Sequence, residues 1–245
     1  MSDTGSRSPF TSRGFIFGAI IFGVLVLAAI LLAVTSLGGG GGQQSAPATT
    51  ATPTSAATPE ADADADAASV CGLPGYEESG TLTAAPVTEW TIVGTMAAPG
   101  GADVGPGVTD SDGLRRCYAH TVEGALFATA NIWAMGTNGS LGDSITDKLS
   151  VPGPGRDSAM ARQSSNTSNG LSAQIIGFKT LAYTGDAATI DIAFRLNTGV
   201  QMSIATELRW SEGDWKVQLT DDGQSSYRPV TLQSLGGYVP WAGVE

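Results

Sequence analysis

Three hydrophobic patterns follow one another along the chain: an unbroken apolar run, a helical period, and a strict alternation. From Phe15 to Val34 the sequence FIFGAIIFGVLVLAAILLAV is 20 residues without a charge. A helix of that length spans the roughly 30 Å hydrocarbon core of a bilayer, so a transmembrane helix is expected at 15–34. The competing reading is a cleaved signal peptide, whose apolar region is usually only about 7 to 15 residues. Arg7 and Arg13 precede the run and the next basic residue is Arg115, so the positive-inside rule places 1–14 in the cytoplasm and the rest outside. Gly14 with Gly18, and Ala19 with Gly23, have the small-xxx-small spacing that lets helices pair, though a chain this rich in Gly and Ala produces it by chance.

Periodicity then disappears. Residues 35–70 hold a five-glycine run, three spaced prolines and the acidic stretch EADADADAA, with almost nothing to bury. They read as a disordered linker with an average reach of about 30 to 36 Å. The Ala-Asp repeat is either a solvated spacer or a docking strip for a basic partner.

Residues 71–245 form the predicted extracytoplasmic domain. After Cys117 comes YAHTVEGALFATANIWAMG, in which Thr121 can cap a helix, Glu123 suits its first turn and Gly136 can end it. Val122, Ala125, Leu126, Thr129, Ile132 and Trp133 share one face, which predicts an amphipathic helix of about 15 residues. The polar stretch 138–170 can add short helices in GDSITDKLS and RDSAMARQSS. From Ala173 the period becomes two. In ATIDIAFRL, Ala188, Ile190, Ile192, Phe194 and Leu196 point inward while Thr189, Asp191, Ala193 and Arg195 face water. VQMSIATELRW and WKVQL repeat the pattern, and Thr184-Gly185-Asp186, Asn197-Thr198-Gly199 and Ser211-Glu212-Gly213-Asp214 supply hairpin turns. The expectation is an α+β domain whose helices cover an antiparallel four-stranded meander, with a further edge strand in 87–95 and an aperiodic tail, 221–245, wrapped over the surface.

Charge and composition narrow the chemistry. Lys plus Arg number 12 against 23 Asp plus Glu, a net charge of −11, and the outer domain alone carries 10 against 18. Such a field repels phosphate backbones, so direct nucleic-acid binding is not expected. One histidine and two cysteines cannot supply three or four Cys/His ligands to zinc, so zinc chemistry is not expected; no other metal site and no cofactor site is identified. Outside the cell thiols oxidise, and Cys71 with Cys117 is the sole pair, so a disulfide is predicted; closing about 46 residues would stabilise the fold by roughly 3 to 5 kcal/mol.

No set of residues argues for catalysis. Asp191 falls on the wet face of its strand, and His120 beside the helix cap reads as a capping or surface group rather than a general base. Arg115 and Arg116 form a double-basic pair that could grip a partner carboxylate or make surface salt bridges. Trp133, Trp210 and Trp215 read as core; Trp90 and Trp241 lie outside the periodic stretches and are the candidate partner contacts. The sequons at Asn138 and Asn166 are discounted.

The meander ending in RWSEGDWKVQL, preceded by a helix, resembles the nuclear-transport-factor-2-like cone. Behind a membrane anchor and a spacer, the arrangement over 117–220 is similar to the bitopic inner-membrane scaffold subunit of type IV secretion systems. The strings VCGLPGYEESGTLTAAP, GPGVTDSDGLRRCYAHTVEGAL and YVPWAG resemble an actinobacterial family of anchored proteins associated with conjugative elements. These resemblances imply a cone-like domain and a non-enzymatic scaffold in a conjugative apparatus. Its partners would be other membrane or secretion-channel proteins or copies of itself. The alternative is a binder of a hydrophobic molecule, accessory to lipid or cell-wall transport, with a cavity lined by Phe178, Ile192 and Phe194.

Overall fold

The computed structural model describes residues 68–162 and 172–243. The apolar run Phe15–Val34, residues 1–14, the linker up to residue 67 and the sequon at Asn166 lie outside the described residues, among which no helix is long and apolar enough to cross a membrane.

Among the described residues two small antiparallel ladders come first. β1 (Glu89–Val93) pairs with β2 (Met96–Gly100), and β3 (Val108–Thr109) with β4 (Arg115–Arg116). Helix α1 (Val122–Gly136) follows, then a 3₁₀ turn (Gly139–Leu141), α2 (Gly142–Leu149) and α3 (Pro154–Ala161). The alternating segments form β5 (Ala173–Thr184), β6 (Ala187–Leu196), β7 (Gln201–Ser211) and β8 (Asp214–Val217), and the tail adds β9 (Val230–Thr231) and β10 (Val239–Pro240).

Helix α1 starts where the sequence places it. Thr121 caps it by accepting a hydrogen bond from the Gly124 amide at 3.0 Å. A second cap comes from Glu77, whose carboxylate accepts the Val122 amide at 2.8 Å and lies at the positive end of the helix dipole. The helix is not amphipathic, however: Leu126, Phe127 and Ala128 are successive and all fully buried. The helix packs both on the large sheet and on β2, and its Val122 and Leu126 share one core cluster with Ile190, Ile192, Leu208 and Trp215 and with Met96 and Ala98. Asn131, inside this contact, donates to the carbonyls of Pro99 and Phe127, both at 2.9 Å, so its burial leaves no amide hydrogen wasted.

The arrangement of helices on a four-stranded meander, and the cone it implied, are overturned. The domain is mostly β: the main sheet has six strands, all antiparallel, in the order β10-β5-β6-β7-β8 with β9 on β7, and two two-stranded sheets stand beside it. β9 and β10 are two residues each, too short to leave a period-two signature, so the sequence showed only a featureless tail. The segment 87–95 does form a strand, but β1 bonds only to β2, over α1, instead of extending the main sheet.

The tail also explains why the outer face of β6 is drier than its alternation suggests. Asp191 is 9% exposed and Ala193 fully buried. Tyr238, just before β10, donates its hydroxyl to Asp191 Oδ2 at 2.6 Å, and the Lys179 ammonium sits 4.2 Å over the same ring. Between β7 and β8 the two-residue turn Glu212-Gly213 has φ of 56° and 74°, the paired positive values of a type I′ hairpin.

Candidate functional site

Most of the unusual side-chain chemistry gathers where the first described residues meet the β7–β8 hairpin. Cys71 and Cys117 form the disulfide. Cys117 has φ of 69°, a left-handed conformation that aims its amide and the next in one direction. Asp214 fills that concavity: it accepts from the amides of Cys117 at 2.6 Å, Tyr118 at 2.9 Å and Trp215 at 2.9 Å. Burial pushes its carboxyl above the ordinary 3.8, against the downward pull of those three amides. Gly107 lies against this corner, and a Cβ there would collide with Cys71 Sγ.

His120 is neither a cap nor a surface group. It is 2% exposed, stacked on Trp210 with ring centroids 3.7 Å apart and planes 6° from parallel, and edge-on to Tyr76 and Trp215. Its Nε2 lies 2.6 Å from the Gly185 carbonyl oxygen. The imidazole thus joins the β5–β6 turn to the start of α1, a structural task that uses both its ring face and its polar edge.

The four residues read as partner contacts do not come together on one surface. Trp241 is core: it is 4% exposed, meets Phe127 and Phe178 at 5.7 and 5.5 Å, and donates its indole N–H to Thr88 Oγ1 at 2.9 Å. Trp90 is half-buried and lies 4.8 Å from Trp241, its outer side remaining accessible. Arg115 donates to Thr91 Oγ1 at 2.7 Å and Asn131 Oδ1 at 3.3 Å, which fixes it between β1 and α1. Arg116 forms an ion pair with Asp110 at 3.0 Å. Trp215 is fully buried, whereas Trp133 and Trp210 are partly buried against the core.

Two depressions are more distinctive. One, of about 390 Å³, is lined by Val70, Arg116, Asp147, Lys148, Arg156, Glu212, Asp214 and Lys216. The other, of about 360 Å³, is a mainly apolar groove where Ile132 and Trp133 of α1 and Ile145 of α2 face Val217 and Leu219. Phe178, Ile192 and Phe194, expected to line a cavity, are instead packed within the core, Phe178 on Trp241 and Phe194 on Trp133. Sequence reading named Arg116 but missed Lys148, Arg156, Lys216 and the buried role of Asp214. Their convergence depends on which elements become neighbours; the sole signal along the chain is how few cations it has.

A family model described as Domain of unknown function (DUF8175) matches residues 48–240. No curated protein and no solved structure matches the chain.

Proposed function

Since the chain belongs to the DUF8175 family, a domain of unknown function, we propose that it is a non-enzymatic, membrane-anchored assembly component of a conjugative, type IV secretion-like transfer apparatus. Residues 1–14 face the cytoplasm, Phe15–Val34 tether the protein, and the β-rich domain stands outside, where it positions other channel subunits or further copies of itself. The observation that carries this reading is the Cys71–Cys117 bridge. It belongs to an oxidising compartment. It also ties the domain's first turn to a fully buried residue, so a pull along the linker reaches the body of the fold through a covalent bond. The packing of Phe178, Ile192 and Phe194 into the core supports positioning over storage of a molecule between helix and sheet.

The test is the conjugation frequency of a donor lacking the gene, complemented by the full chain or by residues 71–245 exported without the anchor. Rescue by the anchored form alone is expected. Transfer at the wild-type rate in the deletion strain would overturn the assignment.

The apolar groove beside Trp133 favours a second reading, an extracytoplasmic binder of a hydrophobic molecule. Saturable binding of a lipid-like fluorescent probe, lost in Ile132→Glu but not in Ile92→Glu, would favour it.

A further inference from the structure

We propose that the cleft between β4, α2, α3 and the β7–β8 hairpin binds a phosphate-bearing anion. This goes beyond the tethering role and does not depend on it. In a domain with 10 cationic side chains, four line this one depression: Arg116, Lys148, Arg156 and Lys216. They arrive from four separate elements, so no local charge pattern accounts for the clustering.

Their internal counter-ions leave donor capacity over. Asp110 is shared: it accepts from Nε and Nη2 of Arg116 at 3.0 to 3.2 Å, which leaves Nη1 over, and from Lys148 Nζ at 3.1 Å. Arg156 has no carboxylate within ion-pair distance among the described residues; its one hydrogen bond goes to the Asp147 backbone carbonyl at 3.2 Å. Asp214 lines the cleft, but its oxygens are occupied by three backbone amides. Two further acids line the cleft: Asp147 has no cation within ion-pair distance among the described residues, and Glu212 pairs with Lys216.

That last pair is lopsided in a way that suits ligand exchange. The Lys216 side chain is only 10% exposed, whereas the Glu212 side chain is 63% exposed and stands on the two-residue hairpin turn. A buried ammonium needs a counter-ion; Asp214, whose field also reaches Lys216, is fixed by its three amides, whereas Glu212 can rotate into water when a better anion arrives. A carboxylate offers two oxygens, which a single guanidinium fork satisfies. Cations approaching from several sides match an oxyanion with three or more acceptor oxygens and about two charges, which is the chemistry of a phosphate group.

Two sources share that chemistry, a lipid headgroup and a soluble phosphate compound. The test uses the full chain in neutral detergent, with binding of pyrophosphate followed by ³¹P line width at constant ionic strength. Saturable binding is expected, weakened about tenfold or more in Arg156→Gln and in Lys148→Gln, and unchanged in Arg195→Gln, an exposed cation outside the cleft. Glu212→Gln should tighten binding roughly two- to fivefold, a gain that misfolding cannot imitate. Displacement of pyrophosphate by micellar phosphatidic acid, whose terminal phosphate carries about two charges, supports the site and identifies a headgroup; failure to displace it supports the site and identifies a soluble ligand. No saturable binding, or equal affinity in wild type, Arg156→Gln and Lys148→Gln, overturns the proposal.

Discussion

Replacing Cys71 with alanine should remove about 4 kcal/mol of stability. The bridge joins residues 46 apart, and the chain-entropy relation assigns a loop of that size about 13 to 14 cal/mol/K, or roughly 4 kcal/mol at 25 °C. Against the roughly 5 to 15 kcal/mol by which most domains are stable, this is a large fraction. Cys71 is exposed, so its truncation leaves no core cavity and the loss isolates the crosslink. The assay is urea unfolding of the full chain followed by tryptophan emission. All five tryptophans, at 90, 133, 210, 215 and 241, lie in the described domain, so the signal reports that domain. With a slope of about 2 kcal/mol per molar urea, the midpoint should fall by about 2 M. Reduced wild type should unfold where Cys71→Ala does. A loss below about 1 kcal/mol in both would refute the view that this bridge restrains the unfolded chain and secures the domain's first turn.

Trp241→Ala should cost about 3 to 5 kcal/mol by opening a core cavity and Trp90→Ala clearly less, measured in the same titration; equal small losses would return Trp241 to the surface. Gly124→Ala should lower the melting temperature although alanine favours helix by about 1 kcal/mol, because the new Cβ meets the Ala119 carbonyl oxygen; a raised melting temperature would contradict the packing. Asp214→Asn should cost about 1 to 3 kcal/mol, since the amide cannot accept at both oxygen positions and one of the Cys117, Tyr118 or Trp215 amides loses its partner; an unchanged urea midpoint would argue against this network. Asp110 is held below its ordinary 3.8 first by the Arg116 hydrogen bond and then by Lys148. Its contribution is therefore present above 3.8 and lost as pH falls through the lower folded value. The melting-temperature gap between wild type and Asp110→Asn should be full at neutral pH and shrink below 3.8, and a gap independent of pH would refute the pairing.

The elements that were legible are those whose signal is local. Thr121 and the following apolar period located α1, because capping and helical spacing act within a few residues. The alternation and the Gly-containing turns located β5 to β8, with Glu212-Gly213 forming its hairpin as the residue types require. What each element would touch was not legible. Helix α1 looked one-sided because alanine and glycine count as neutral in a pattern, yet Ala128 and Gly124 are buried because close-packed partners lie on both sides. Trp241 stands in an aperiodic tail, and its burial follows from β10 pairing with Gly177 and Phe178 of β5.

The sequence by itself determined the apolar run at 15–34, the acidic balance, the pairing of the only two cysteines, and the position of the longest helix and of the strands β5 to β8. Each follows from residue type and short-range spacing. The tertiary structure alone decided the six-stranded sheet, the placement of His120 against Trp210, the three-amide seat of Asp214, and the gathering of Arg116, Lys148, Arg156 and Lys216. The physical reason is the same in every case. These features join residues tens of positions apart, and their energies come from burial and from charges brought within a few ångströms, which arise only once the chain has closed on itself.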